Sequence, residues 1–320
     1  MVKKPSLTVE KLIEHFANQE GEYAFKVHSR HHLLSRQITD VSINRPGMNL
    51  FGYFDHFAYQ RPQIMGKGES SYIIKLAREN KLDTLKKMFN FEIPCFIFSS
   101  GFEPPERFIK LCEKKKIPVL STSLDTSHLI AEMKDILLKI VAPVETVHGV
   151  MMEIFGMGVL IQGKRGVGKS EFALELLERG HRFIADDVVD VRLMENKTLM
   201  ASSSGLIAHH MEIKGLGIIN VAFLFGVRAI LNEKKIDLII KLESHSSKKK
   251  YDRLGIAEKY KKVLGQDYPQ ITIPIQPGTN APILIETATM NHRLKLMGYN
   301  PAKEFNKKLM SMIEKGEKIY

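Results

Sequence analysis

Midway along the chain, Val159-Leu-Ile-Gln-Gly-Lys-Arg-Gly-Val-Gly-Lys-Ser170 joins an apolar run to the pattern G-x-x-x-x-G-K-[ST], and helical apolar spacing follows it. Strand, glycine-rich turn and helix in that order form a phosphate loop. Glycines let the backbone curl so that successive N–H groups face a polyphosphate, and the helix adds the positive end of its dipole. Gly163, Lys164, Arg165, Gly166, Val167 and Gly168 are therefore the expected cradle. Lys169 is expected to reach the β- and γ-phosphates and the Ser170 hydroxyl to hold Mg²⁺. The chemistry this predicts is binding of a nucleoside triphosphate.

Phosphoryl transfer needs two further parts, a metal held by oxygen ligands and a group to take the nucleophile's proton. Asp186 and Asp187 follow the loop closely enough to belong to the adjacent element of the same unit. One could hold water or metal and the other act as base; the competing reading is a capping or surface pair. Glu212 could complete a Mg²⁺ site with Ser170, since hard cations prefer oxygen. His209 and His210 invite a transition-metal reading, but two loop histidines are commoner than a site. His148 alone reads more readily as a satisfied core histidine than as a catalyst.

These residues need elements to hold them. His181 to Val191 reads as a strand carrying the carboxylates, Val147 to Phe155 as the strand before the phosphate-loop strand, and Gly180 as a helix stop. Upstream, Thr8 could cap a helix with Leu12, Ile13 and Phe16 inward, and Tyr23 to Val27 is strand-like. Leu50 to Phe54 and Arg61 to Gly66 read as short strands and loops. Ile93–Phe98, Pro104–Lys115 and Ile117–Leu120 give strand, helix, strand, hence a parallel pair with a crossover, and a helix over Thr126–Leu138 closes the unit. Pro143 suggests a boundary between about Lys139 and Glu145. Pro301 to Gly316 is a final amphipathic, lysine-rich helix.

A chain of 320 residues is long enough for two cores, and 44% hydrophobic with 26% charged residues is an ordinary globular balance. The formal net charge of +11 favours acidic or phosphorylated partners. Nucleic acid is a weaker match, because the lysines are scattered or sit in short runs such as Lys114–Lys116 and Lys248–Lys250, without a basic stripe or recognition helix. Cys95 and Cys112 lie in apolar runs and read as buried reduced thiols. The start of the chain has no apolar export segment, and the longest uncharged run, Tyr268 to Ile285, is broken by four prolines and cannot span a membrane as a helix. A cytoplasmic protein is expected.

His148-Gly-Val, Gly163–Ser170, Arg179–Asp187, Glu212-Ile-Lys-Gly-Leu-Gly-Ile-Ile-Asn-Val221, Tyr251-Asp-Arg-Leu-Gly255 and Ile273–Gly278 occur in this order. Together they resemble bacterial HPr kinase/phosphorylase, a family that phosphorylates a serine of the sugar-transport phosphocarrier HPr and can reverse the reaction. Arg45-Pro-Gly, Gly52-Tyr-Phe54 and Arg61–Gly66 are similar to that family's N-terminal domain, so the resemblance covers nearly the whole chain. It implies an α/β fold with an N-terminal α/β domain of assembly or regulatory role over 1–140. A P-loop kinase domain of phosphoenolpyruvate-carboxykinase-like type is implied over 141–320. It further implies Mg²⁺, ATP or pyrophosphate as donor, homohexameric assembly and regulation of carbon metabolism, with neither nucleic acid nor membrane as partner.

By position, Asp187 resembles the family's catalytic carboxylate, His148 its neighbouring histidine, Lys169 its loop lysine and Arg253 its active-site arginine. Ser170 and Glu212 resemble the magnesium ligands. Two departures stand out. Gln276 and Thr279 occupy places where the family usually carries arginines, which should weaken phosphate binding and the phosphorylase direction. Lys164-Arg165 replaces an acidic and a small polar residue, adding charge that could tighten nucleotide or pyrophosphate binding, or point to solvent. The rival classes are a nucleotide-dependent nucleic-acid or regulatory protein, which would need a basic stripe or a recognition helix, and a small-molecule kinase, which would share the loop but has no reason to carry the Glu212–Val221 block.

Overall fold

The computed structural model describes residues 7–17, 25–204, 208–245 and 258–314. The chain forms two compact units that divide between Ala142 and Pro143.

In the first unit, helices α1 (Val9–Ala17), α2 (Gly47–Leu50), α3 (Lys67–Arg78), α4 (Glu106–Lys114) and α5 (Thr126–Val141) accompany strands β1 (Lys26–Val27), β2 (Gln63–Met65), β3 (Phe96–Phe98) and β4 (Val119–Ser121). The sheet order is β1-β4-β3-β2, with β2, β3 and β4 parallel and β1 antiparallel to β4. Strand side chains alternate between two cores. Ile64, Ile97 and Leu120 pack with residues of α1 and α5, while Met65, Phe96, Phe98 and Val119 pack with residues of α3 and α4. Helices on both faces explain why these strands are apolar without a break. The helix expected from Thr126 runs three residues further and is capped by Asp125, whose Oδ1 accepts from the amides of Ser127 and His128 at 3.0 and 3.1 Å. Leu50 ends a helix and is not part of a strand, which corrects the extended reading of Leu50–Phe54. Both cysteines are buried and free, and burial pushes the Cys95 thiol up to about 12.

The second unit holds strands β5 (Val144–His148), β6 (Val150–Ile154), β7 (Met157–Gly163), β8 (Arg182–Ala185), β9 (Val188–Leu193), β10 (Leu199–Ser203), β11 (His210–Ile213), β12 (Gly217–Asn220), β13 (Glu233–Lys235), β14 (Leu238–Ser244), β15 (Lys259–Val263) and β16 (Gln266–Ile275). Its helices are α6 (Lys169–Glu178), α7 (Val221–Phe225), α8 (Ala281–Leu296) and α9 (Pro301–Glu314). Six strands form one sheet in the order β15-β16-β14-β7-β6-β8, and β13-β10-β9-β5 form a second, antiparallel one. Val159 and Ile161 of β7 face a core that includes Ala173, Leu176 and Ile285; Leu160 faces the other core, shared with the second sheet.

Two expected strands are each broken where chemistry is expected. Val147–Phe155 divides at Gly149 into β5 and β6, and His181–Val191 divides at Asp186-Asp187 into β8 and β9, so each half joins a different sheet. Apolar pattern on both sides of these residues concealed the change of sheet. The uncharged run 268–285 is strand β16 followed by the start of α8, where Pro282 sits in the first turn that tolerates it. Among the described residues no helix is long and apolar enough to cross a membrane.

Candidate active site

Strand direction brings the site together. β7, β14 and β16 are parallel, and β8 runs the same way because both it and β7 are antiparallel to β6. The segments leaving β7, β8, β14 and β16 therefore emerge at one edge, the carboxyl edge where α/β sheets bind ligands.

From β7 the chain turns through Gly163 to Gly168. A Cβ on Gly163 would come within 2.9 Å of the Leu242 carbonyl oxygen on β14 and 2.8 Å of Val167, so only glycine fits at that close approach. Gly168 is left-handed at φ +93 and starts α6, where its own ring neighbour Phe172 would crowd any Cβ. Lys169 Nζ donates to the Gly163 carbonyl at 3.4 Å, which stretches the ammonium back across the loop. Lys164, Arg165 and Gly166 are exposed at the turn.

After β8, Asp186 is buried. Its Oδ1 accepts from the Ser170 hydroxyl at 3.0 Å and from the Asp187 amide at 2.9 Å, and its Oδ2 accepts from the Glu212 amide at 3.2 Å. Burial pushes its carboxyl above the ordinary range, against the pull of those three donors. No cation pairs with it among the described residues. The surface-pair reading is thereby corrected for Asp186, because three donors, one hydroxyl and two amides, hold it inside.

Asp187 does face solvent, with a side chain 68% exposed and a backbone at φ +62, a conformation a short polar side chain tolerates better than most. His148 ends β5 beside it: Nδ1 lies 3.7 Å from Asp187 Oδ1 and 3.3 Å from the Asp187 carbonyl oxygen, to which an Nδ1–H would donate. The His148 ring is 84% exposed, which overturns the buried-core alternative. Glu212 lies on β11 with an exposed side chain, tied in by its backbone amide. The Ser170 hydroxyl bonds the buried Asp186 carboxylate, and the Glu212 backbone amide bonds the same carboxylate from β11, so three oxygen-bearing residues expected at the site share one hydrogen-bond network.

His209 and His210 do not make a metal cluster: His210 Nδ1 bonds the Ala208 carbonyl at 2.8 Å, and no group of three His, Cys, Asp or Glu residues is placed to hold a metal among the described residues. Arg253 lies outside the described residues. Gln276 and Thr279 close a turn, with the Thr279 amide donating to the Gln276 carbonyl at 2.9 Å and the Gln276 amide to Thr279 Oγ1 at 3.1 Å. Thr279 is thus part of the turn's own bonding.

Sequence reading did not single out Asp186 above Asp187. Three buried residues, Phe183, Ile184 and Ala185, lead straight into it, and that uninterrupted apolar approach is the signal that separates the pair. A cleft of about 950 Å³ beside the loop, lined by His148, Gln162, Lys241, Tyr260 and Lys261 among others, had no signal in local sequence.

A profile described as "HPr Serine kinase C-terminal domain" matches residues 139–309, and one described as "HPr Serine kinase N terminus" matches residues 7–137. The chain belongs to the HPr serine kinase family. It is 46% identical over 285 residues to the HPr kinase/phosphorylase of Treponema pallidum (strain Nichols), covering 89% of each chain. It is 42% identical over 309 residues to that of Alkaliphilus metalliredigens, covering 97% of this chain and 98% of the relative. A solved structure titled as the Hpr(Ser) kinase/phosphatase of Coxiella burnetii is 40% identical, covers 50% of this chain and 98% of its own, and has a TM-score of 0.45.

Proposed function

We propose that this member of the HPr kinase family phosphorylates a serine of the phosphocarrier HPr, using ATP or pyrophosphate, and runs the reverse phosphorolysis, in control of carbon metabolism. The observation that carries the reading is the bond from Ser170 to Asp186, because it joins the phosphate loop to the exposed Asp187 on the next residue. A base and a histidine open to solvent suit an acceptor that is itself a protein.

Mg²⁺, held by Ser170 and Glu212 with Asp186 behind the hydroxyl, would draw charge from the phosphates. The loop amides and Lys169 bind and orient the β- and γ-phosphates. Asp187 takes the proton of the serine hydroxyl as its oxygen bonds to the terminal phosphorus and the bond to the nucleoside diphosphate breaks. In reverse, an orthophosphate oxygen bonds to the phosphoserine phosphorus to form pyrophosphate, the bond from that phosphorus to the serine oxygen breaks, and Asp187 returns the proton to the departing serine oxygen. His148 orients Asp187 through its ring nitrogen, which lies 3.3 Å from the Asp187 carbonyl oxygen. Arg253, by its resemblance, steadies a phosphate oxygen.

On this reading residues 141–320 are the catalytic domain, of phosphoenolpyruvate-carboxykinase-like type, and 1–140 serve assembly as a homohexamer or regulation. Turn-bound Thr279 and Gln276 put no cation on the 276–280 loop, so the phosphorylase direction is weaker than the kinase direction. The test is transfer of labelled γ-phosphate from ATP to HPr and to HPr whose acceptor serine is alanine. Label is expected on the first alone; label on the second removes the proposed acceptor. Equal rates of phosphate addition and release would remove the asymmetry.

A further inference from the structure

Strand β7 enters the phosphate loop at Gly163, and the residue just before it, Gln162, takes no role in the transfer described above. It is half-buried, on the face of β7 that Leu160 turns toward the second sheet. Val150 pairs with Ile161, so Gln162 comes opposite Gly149, where the chain passes from β5 to β6. A Cβ on Gly149 would stand 2.7 Å from the Ile161 carbonyl oxygen and 3.3 Å from Gln162 Cγ, so the glycine is what lets the two strands close up at this point.

Both ends of the Gln162 amide are used. Nε2 donates to the His148 carbonyl oxygen at 3.0 Å, and Oε1 accepts from the Lys261 ammonium. A carbonyl can only accept and an ammonium can only donate, so a single orientation of the amide meets both. The peptide held in this way reaches Asp187 by two bonds. The Gly149 amide donates to the Asp187 carbonyl oxygen at 3.2 Å, and His148 Nδ1 lies 3.3 Å from the same atom. The Asp187 side chain is mostly exposed, so packing does little to place it and these backbone bonds do more.

We propose that Gln162 is a positioning residue for phosphoryl transfer. It fixes the His148–Gly149 peptide, and through that peptide the place of Asp187 relative to the phosphate loop that starts one residue further on. The inference rests on the reading of Asp187 as the base. Lys261 sets the amide and acts on Asp187 only through Gln162.

The test is steady-state transfer from ATP to HPr by the full chain and by Gln162→Leu, Gln162→Glu, Asp187→Asn and the double variant of Gln162→Leu with Asp187→Asn. Gln162→Glu keeps an oxygen for Lys261 and loses the donor to His148; Gln162→Leu loses both contacts. Each should lower kcat by about 10–100-fold, the range for a group that orients a reacting one. For Gln162→Leu the KM for ATP should stay within about twofold and the melting temperature should not fall, a split that a merely structural residue beside the loop would not give. Added to Asp187→Asn, Gln162→Leu should cost less than about twofold more, since nothing is left to position. Wild-type kcat in Gln162→Glu, a raised KM for ATP at unchanged kcat in Gln162→Leu, or losses that multiply in the double variant each overturn the proposal. Full transfer by Asp187→Asn removes the base reading itself, and this inference with it.

Discussion

Glu153 and Asp186 are both buried carboxylates at the heart of the second unit, and their surroundings are opposite. Glu153, on β6, receives the Arg182 guanidinium at 2.8 Å through Nε, and the Lys234 ammonium bonds its other oxygen. Burial would push its carboxyl up; Lys234 and Arg182 outweigh that and hold it below the ordinary range. Asp186 has a hydroxyl and two amides but, among the described residues, no cation, and burial pushes it up. Two sites on one scaffold thus show that the fold can neutralise a buried anion with side chains, and that beside the phosphate loop it does not. A hydrogen-bonded but uncompensated carboxylate next to a serine hydroxyl is where a divalent cation gains most.

The largest effects should appear beside Asp186. Asp187→Asn keeps size and backbone but cannot take a proton, so transfer to HPr should fall by about 10²–10⁴ with thermal stability unchanged. A fall of less than tenfold would assign the base elsewhere. Asp186→Asn should lower transfer by roughly 10–100-fold through loss of support to the Ser170 hydroxyl, while the metal-free protein melts no lower than wild type. Melting well below wild type would make Asp186 a structural group like Glu153.

Glu153→Gln should do the reverse. It leaves two cations short of a charged partner and should cost about 1–3 kcal/mol, read as a lower melting temperature, with turnover of the remaining folded enzyme intact. Lost turnover at full stability would contradict the contrast. The smallest effect is on the pH dependence of stability. The depressed Glu153 value means its contribution is present above the unfolded glutamate pKa and is lost as pH falls through the folded value. For Asp186 the sign inverts: its contribution is present below the unfolded aspartate pKa and is lost as pH rises through the raised folded value. Denaturant titrations of the two variants across pH 3 to 7 should show slope changes of opposite sign, and like signs would refute the assignment.

Much of this was readable from local sequence. The phosphate loop needs only glycine spacing, and β7 and α6 follow it as its pattern requires. Helices such as α4, α5 and α9 follow from amphipathic periodicity, although α8, weakly amphipathic, was not foreseen. What local pattern could not show is which of two adjacent aspartates turns inward. That depends on β8 and β9 belonging to different sheets, with the chain reversing at φ +62 on Asp187. The proximity of His148 to Asp187 is likewise set by β5 pairing with β9, 39 residues apart at that contact. The first-unit motif residues show the same limit: Arg45 and Arg61 pair with Glu69 and Asp40 at 2.9 and 2.8 Å, contacts no spacing rule identifies.

The contrast between the two carboxylates is tested most directly by thermal unfolding of wild type and Asp186→Asn, each loaded with a non-hydrolysable ATP analogue, as Mg²⁺ is added. Wild type should gain stability with Mg²⁺, by about 2.7 kcal/mol at a hundred times the dissociation constant, and the variant should gain little. An equal gain in both would mean that the metal does not answer the charge on Asp186, and the account of this site would be wrong.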